Sequence, residues 1–167
     1  MTQNHKVRSL RELATPPNND AAAVLARARA LHAAARAGMP ALPLRGKNLG
    51  LLCDSADAHD GALFQRAASA LGAQVAHVRP SLTEHSSAQE IQHTARLLGR
   101  LYDAIDCVGM APGLVGKIGA GAGVPVFEGI ASPRHPTAGL ADLLDAPLAD
   151  DDRRCLVIQA VLLGALG

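Results

Sequence analysis

The chain has no tryptophan, one tyrosine and two phenylalanines among its 167 residues. With aromatics this scarce, a core must be assembled mainly from Ala, Leu and Val, within a hydrophobic content of 49%. An excess of either charge is missing too: 16 Lys and Arg against 15 Asp and Glu give a formal net charge of +1. Such a balance offers no electrostatic case for nucleic acid or for an anionic membrane surface. No apolar run approaches the roughly 18 residues of a membrane span, and the start shows no signal-peptide pattern. The expectation is a cytoplasmic protein with no membrane partner. Cys53, Cys107 and Cys155 are odd in number and lack metal-type spacing, which suits three reduced thiols.

The length fits one domain, 1–167, with a real core. Helical and strand patterns alternate along it. Asn18, Asn19 and Asp20 offer N-caps for a helix running to about Ala37, stopped by Gly38, with Val24, Leu25, Ala28, Leu31 and Ala35 on its apolar face. Leu49–Cys53, Gln74–Val78, Ile105–Val108 and Val124–Phe127 read as strands. Helices are expected through Phe64 to Leu71, through Ile91 to Leu101, and over Leu114–Ala120, with a polar loop from Arg79 to Ser87. The predicted fold is α/β: one three-layer domain, a parallel sheet of about four strands with helices on both faces. A last helix starts at Asp150, Asp151 and Asp152, the favourable end for acids, and is apolar nearly all round from Leu156 to Leu166. It must be buried, against the first helix or a neighbouring subunit. Residues 1–8 are expected to be disordered, and 146–167 to form a linker and that returning helix.

The loop Asp54-Ser55-Ala56-Asp57-Ala58-His59-Asp60 lies at the carboxyl end of the first strand, where an α/β domain of this kind makes its ligand site. A helix N-terminus there presents free N–H groups and positive partial charge, an anion's environment. Three carboxylates and a histidine cap the helix but repel an anion. As structural residues, Asp57 or Asp60 is a helix cap and His59 a solvated loop side chain. As functional residues, Asp57, His59 and Asp60 with Asp54 and His135 form a site for a cation or, through carboxylate and imidazole, a divalent metal, with Asp57, His59 and His135 the candidate ligands. The glycines of Gly116–Gly123 lack the strand-then-helix context of a nucleotide loop. Arg27, Arg29 and Arg36 read as a solvated face, and His77, His85 and His93 share no metal spacing. No cofactor is indicated.

Several separated motifs fall in the order and spacing of one family. Leu44-Arg45-Gly46-Lys47-Asn48-Leu49, Thr94-Ala95-Arg96-Leu97-Leu98-Gly99-Arg100-Leu101-Tyr102-Asp103, Val124-Pro125-Val126-Phe127 and His135-Pro136-Thr137 with Leu140-Ala141-Asp142-Leu143-Leu144 resemble ornithine carbamoyltransferase. From about Ser9 to Asp145 the chain resembles the N-terminal, carbamoyl-phosphate-binding domain of the ornithine/aspartate carbamoyltransferases. Arg154 to Gly167 is similar to the family's C-terminal helix, which crosses back onto that domain. On this resemblance the amino-acid-binding domain expected between Asp145 and Asp150 is missing. The resemblance also implies threefold contacts through this domain, hence a homotrimer or a mixed trimer with an active carbamoyltransferase.

At the chemistry the resemblance departs. The family's Ser-Thr-Arg-Thr-Arg phosphate segment falls on Asp57, Ala58, His59, Asp60 and Gly61, its further anion-binding arginine on Val108, its mobile-loop lysine on Ala88 and its glutamine after His-Pro-Thr on Ala138. His135, which in the family contacts the carbamoyl oxygen, and Thr137 remain. Charge-assisted phosphate contacts contribute roughly 1.5–3 kcal/mol each. Two added carboxylates at about 4 Å would each repel by roughly 1–4 kcal/mol. Phosphate contacts also hold the reactive carbamoyl group in place, which is much of the catalysis. Carbamoyl transfer by the chain alone is therefore not expected. The leading reading is an oligomeric binding or regulatory module; the alternatives are a remodelled pocket for another small molecule or divalent metal, and an amino-acid metabolism enzyme completed by a partner. His135 is the residual catalytic candidate, or else a scaffold residue in a segment stiffened by Pro133 and Pro136.

Overall fold

A computed structural model describes residues 18–54 and 59–167. In chain order the elements are α1 (Asn18–Arg36), β1 (Asn48–Cys53), α2 (His59–Ala70), β2 (Gln74–Val78) and α3 (Ala88–Leu101). They continue with β3 (Ala104–Val108), α4 (Pro112–Ala122), β4 (Val126–Phe127), a 3-10 turn (Ala138–Leu143) and α5 (Asp150–Leu166). The sheet order is β2-β1-β3-β4 and every pairing is parallel. Parallel strands need crossover helices, so both faces are covered, as the alternation of elements predicts.

Side-chain alternation sends Leu49, Leu51 and Cys53 of β1 to the face that holds Leu63, Phe64 and Ala67 of α2 and Ile158 and Leu162 of α5. Leu52 faces the other way, with Ile91, Ala95 and Leu98 of α3 and Leu114 and Ile118 of α4. A third cluster joins Val24 and Ala28 of α1 to Val157 and Ala160 of α5 and to Ala141 and Leu144. Thus α5 buries its apolar surface within the subunit, against α1 and α2. On α1 the predicted apolar face stops short, because Ala35 is exposed. Asn18, Asn19 and Asp20 lie inside the helix; the residues preceding Asn18, like the terminal segment 1–8, lie outside the described residues.

Most element ends fall within a residue or so of the expected ones, and two differ for a reason local to the chain. Helix α4 starts at Pro112 and runs through Gly121 to Ala122, and its close crossing with α3 needs a residue without Cβ at Gly121, where a Cβ would sit 3.0 Å from that of Ala95. Gly123 then leaves the helix at φ 72°, the left-handed conformation that glycine accepts readily. Strand β4 begins only at Val126, since Pro125 has no N–H to donate and uses its carbonyl to accept from Ile105 at 2.9 Å. At the amino edge of the sheet, Asn48 N–H donates to Asp103 Oδ2 at 2.8 Å and Lys47 lies 3.7 Å from the same carboxylate. Ser87 and Glu90 form a reciprocal capping box that starts α3.

Candidate functional site

The carboxyl ends of the parallel strands converge on one edge, the usual ligand position in an open α/β sheet. There β1 ends in Cys53 and exposed Asp54, and α2 begins at His59. Asp57 lies in the segment 55–58, outside the described residues. His59 is exposed, and its Nε2 meets Asp151 Oδ1 at 3.2 Å. Two helical turns further on, Arg66 pairs with Asp152. These two contacts fasten one side of α2 to the acidic first turn of α5, so the carboxylates of Asp151 and Asp152 engage the basic groups of α2 directly. Arg153 pairs with Asp150, and Arg154 donates to the carbonyl of Ala131. Asp60 is half-buried at the N-terminus of α2.

After β4 the chain makes a series of tight turns. Ser132 N–H donates to Gly129 O at 2.8 Å, His135 N–H to Ser132 O at 3.0 Å, and Ala138 N–H to His135 O at 2.9 Å. This folding places His135 and Thr137 inward, both buried. His135 Nδ1 lies 2.8 Å from Thr137 Oγ1 and receives the Thr137 backbone N–H at 3.3 Å. A backbone N–H can only donate, so Nδ1 is the acceptor and the ring proton sits on Nε2. Burial pushes the imidazole down to about 4, which keeps the ring neutral at pH 7. A neutral Nε2–H can donate to a carbonyl or phosphoryl oxygen; it cannot act as a general base from that nitrogen. Next to it, Ile130, Thr137, Ala138, Arg154, Val157 and Ile158 line a shallow depression.

Of the residues singled out by sequence, His135 and Thr137 are in contact, while His59 is paired with α5. Among the described residues no group of three His, Cys, Asp or Glu side chains is placed to hold a metal ion. Asp106 is a functional candidate that sequence patterning alone does not single out. It lies in the middle of β3, opposite Leu51 of β1 and Phe127 of β4, and is fully buried. Its Oδ1 accepts from Ile130 N–H at 3.0 Å, and Oδ2 has no hydrogen-bond partner. Burial raises its carboxyl to about 7, and the nearby Asp60 carboxylate pushes in the same direction; backbone N–H groups of Ile130, Gly129 and Cys107 oppose both. The signal available in the sequence was an aspartate inside the otherwise apolar Ala104-Ile105-Asp106-Cys107-Val108. At the end of the same strand Val108 is buried among aliphatic side chains.

Comparison with known proteins agrees with this architecture. A family model described as the aspartate/ornithine carbamoyltransferase carbamoyl-P binding domain matches residues 8–146. Ornithine carbamoyltransferase of Haemophilus influenzae (strain PittGG) is 34% identical over 156 residues, 90% of this chain and 47% of that protein. The enzyme of Actinobacillus pleuropneumoniae serotype 5b is 35% identical over 144 residues, 86% of this chain and 43% of that one. Among solved structures, the ornithine carbamoyltransferase from Pyrococcus furiosus has a TM-score of 0.62 at 25% identity, over 75% of this chain and 40% of that one. The catalytic subunit of M. jannaschii aspartate transcarbamoylase shares the fold, with a TM-score of 0.62 at 22% identity over 77% and 42%. The chain spans less than half the length of these curated relatives. By the match over most of its length, it belongs to the aspartate/ornithine carbamoyltransferase family, in the region of the carbamoyl-phosphate-binding domain.

Proposed function

We propose that this carbamoyltransferase-family chain does not bind carbamoyl phosphate by itself and serves as an oligomeric binding or regulatory module. The supporting observation is the chemistry of the β1–α2 junction. Asp54, His59 and Asp60 stand at a helix start where the family resemblance implies hydroxyls and arginines, and His59 is already engaged by Asp151. Val108 offers an aliphatic side chain where the same resemblance implies a further arginine. The positive partial charge of the helix start, equivalent to about half an elementary charge, is opposed by full carboxylate charges close by. What remains of a carbamoyl site is the neutral His135 donor backed by Thr137, which could polarise an oxygen but would not hold a dianion.

Calorimetric titration with carbamoyl phosphate, and an assay of carbamoyl transfer to ornithine, test this reading. The expected outcome is no binding heat at millimolar ligand and no product. Saturable binding below about 100 μM, near −5.5 kcal/mol on the standard scale, would overturn it. A second reading has its own support. Exposed Asp54 and half-buried Asp60 place two carboxyl side chains at the strand edge, a lining suited to a cationic small molecule. Titration with polyamines, basic amino acids and divalent metals checks that possibility, and thermal shifts confined to cations would favour it. Transfer activity that emerges only on mixing with a complete carbamoyltransferase would favour completion of the site by a partner.

A further inference from the structure

The segment from Gly129 to Thr137 carries His135 into the strand edge, and a buried titratable group accepts a main-chain N–H at each end: Asp106 of β3 ties the start to the sheet, and His135 closes the finish on Thr137. At the start, Asp106 Oδ1 receives the Ile130 N–H at 3.0 Å. At the finish, His135 Nδ1 receives the Thr137 N–H at 3.3 Å and faces its hydroxyl at 2.8 Å. Between them run the turn hydrogen bonds Ser132 N–H to Gly129 O and His135 N–H to Ser132 O. We propose that Asp106, which ties the start of this segment to β3, and His135, which closes its end on Thr137, are a pair of uncharged anchors whose hydrogen bonds hold constant from mildly acidic to neutral conditions.

The geometry of Asp106 points to a neutral acid. One oxygen accepts the Ile130 N–H, and the other is buried without a hydrogen-bond partner. An ionised carboxylate would leave that oxygen's charge uncompensated, which is far costlier than burying a carboxylic acid. The groups around it strengthen this preference. Asp60 on α2 adds a like charge. Cys107 beside it on β3 is itself pushed up to about 12 by burial, by Asp106 and by Glu128, so its thiol stays neutral. Cys53 on β1 and Cys155 on α5 share the same face, and burial raises the Cys155 thiol as well. Of the cations at the segment, Arg134 within it is exposed, and Arg154 of α5 donates to the carbonyl of Ala131. At the other anchor, burial disfavours the imidazolium, and the accepting Nδ1 leaves no room for a second ring proton.

The two anchors respond to pH with opposite signs. Folded Asp106 retains a proton up to about 7, whereas an unfolded aspartate releases it near 3.8. As pH rises through that window, Asp106 therefore favours unfolding, by roughly tenfold per pH unit. His135 stays neutral when folded down to about 4, whereas an unfolded histidine takes up a proton below 6.5. Over that range, rising pH favours folding by the same factor per unit. The windows overlap almost completely, so the two linkages offset one another while both anchors remain uncharged. The paired anchors belong to the fold of the segment and stand whether or not carbamoyl phosphate binds.

Chemical denaturation of the full chain between pH 4.5 and 7 tests the pair against single and double variants. In Asp106→Asn the unfolding constant should fall roughly tenfold per pH unit relative to the parent as pH rises. In His135→Gln it should rise by the same factor, and the double variant should return to the parent's slope. A slope unchanged within twofold over two pH units in either single variant would overturn the proposal. Should Asp106→Asn fail to fold, carbon NMR of the Asp106 carboxyl in the unaltered protein decides. A midpoint near 7 supports the neutral anchor, and a midpoint below 5 refutes it.

Discussion

His135 is a buried imidazole whose tautomer is fixed by its neighbour two residues on. The Thr137 hydroxyl and main-chain N–H both point at Nδ1, and together they leave Nε2–H as the side of the ring available to anything else. Thr137→Val keeps the shape and removes the hydroxyl, so one buried hydrogen bond is lost without a cavity. The expected cost is about 1 kcal/mol in denaturant unfolding. A neutral result would mean that the main-chain N–H alone orients the ring. His59 behaves differently. Its pair with Asp151 is exposed on both sides, and exposed pairs contribute little. Its value lies in where it holds the start of α2, at the position from which the family resemblance implies a phosphate-binding arginine.

At the scale of elements, the covering of the sheet depends on how closely α3 and α4 approach. A Cβ added at Gly99 would fall onto the carbonyl oxygen of Ala122, which is backbone and cannot swing aside. Gly99→Ala should therefore destabilise by about 3 kcal/mol, the upper end for overpacking, despite alanine's higher helix propensity. Gly113 near the start of α4 is the counter-case, because nothing lies within 4 Å of its added Cβ. Gly113→Ala should stabilise by about 0.5–1 kcal/mol. Thermal or denaturant unfolding of the two variants should shift in opposite directions; equal shifts would contradict this account of the crossing. Tyr102 closes the same layer from the side, since a Cβ at Gly50 of β1 would sit 2.8 Å from its ring.

For the whole molecule, the apolar surface left outside the core is concentrated unevenly. Helix α5 consumes its own apolar residues against α1 and α2, so it leaves little for a neighbour. On the outer side of α3, Leu97 and Leu101 are 50% and 55% exposed, one turn apart on one face. The resemblance stated from sequence includes this helix, Thr94–Asp103, and implies threefold contacts. If this helix face meets a second copy, light scattering will give a trimer mass, and Leu97→Glu with Leu101→Glu will reduce it to that of one chain. A concentration-independent monomer for the unaltered protein would remove the assembly half of the proposed function. Among the described residues no helix is long and apolar enough to cross a membrane.

Hydrophobic periodicity, the strand runs and the placement of caps and glycines determined the class of fold, because alternating short apolar strands and amphipathic helices have few ways to bury themselves except a parallel sheet covered on both sides. The order of motifs determined the family, and the acidic residues after β1 marked the departure at the site, since charge is legible from residue type alone. Tertiary structure decided what depends on distant partners. The unpaired oxygen of Asp106 arises because the turn at Gly129–Ile130 brings the Ile130 N–H to Oδ1 and leaves Oδ2 without a donor. The pairing of His59 and Arg66 with Asp151 and Asp152 depends on α5 returning across α2, more than eighty residues away in sequence. The neutrality of His135 is likewise a property of burial, which no local pattern around His135-Pro136-Thr137 encodes. Local sequence sets what each segment prefers; the charge state of a side chain follows from which segments enclose it.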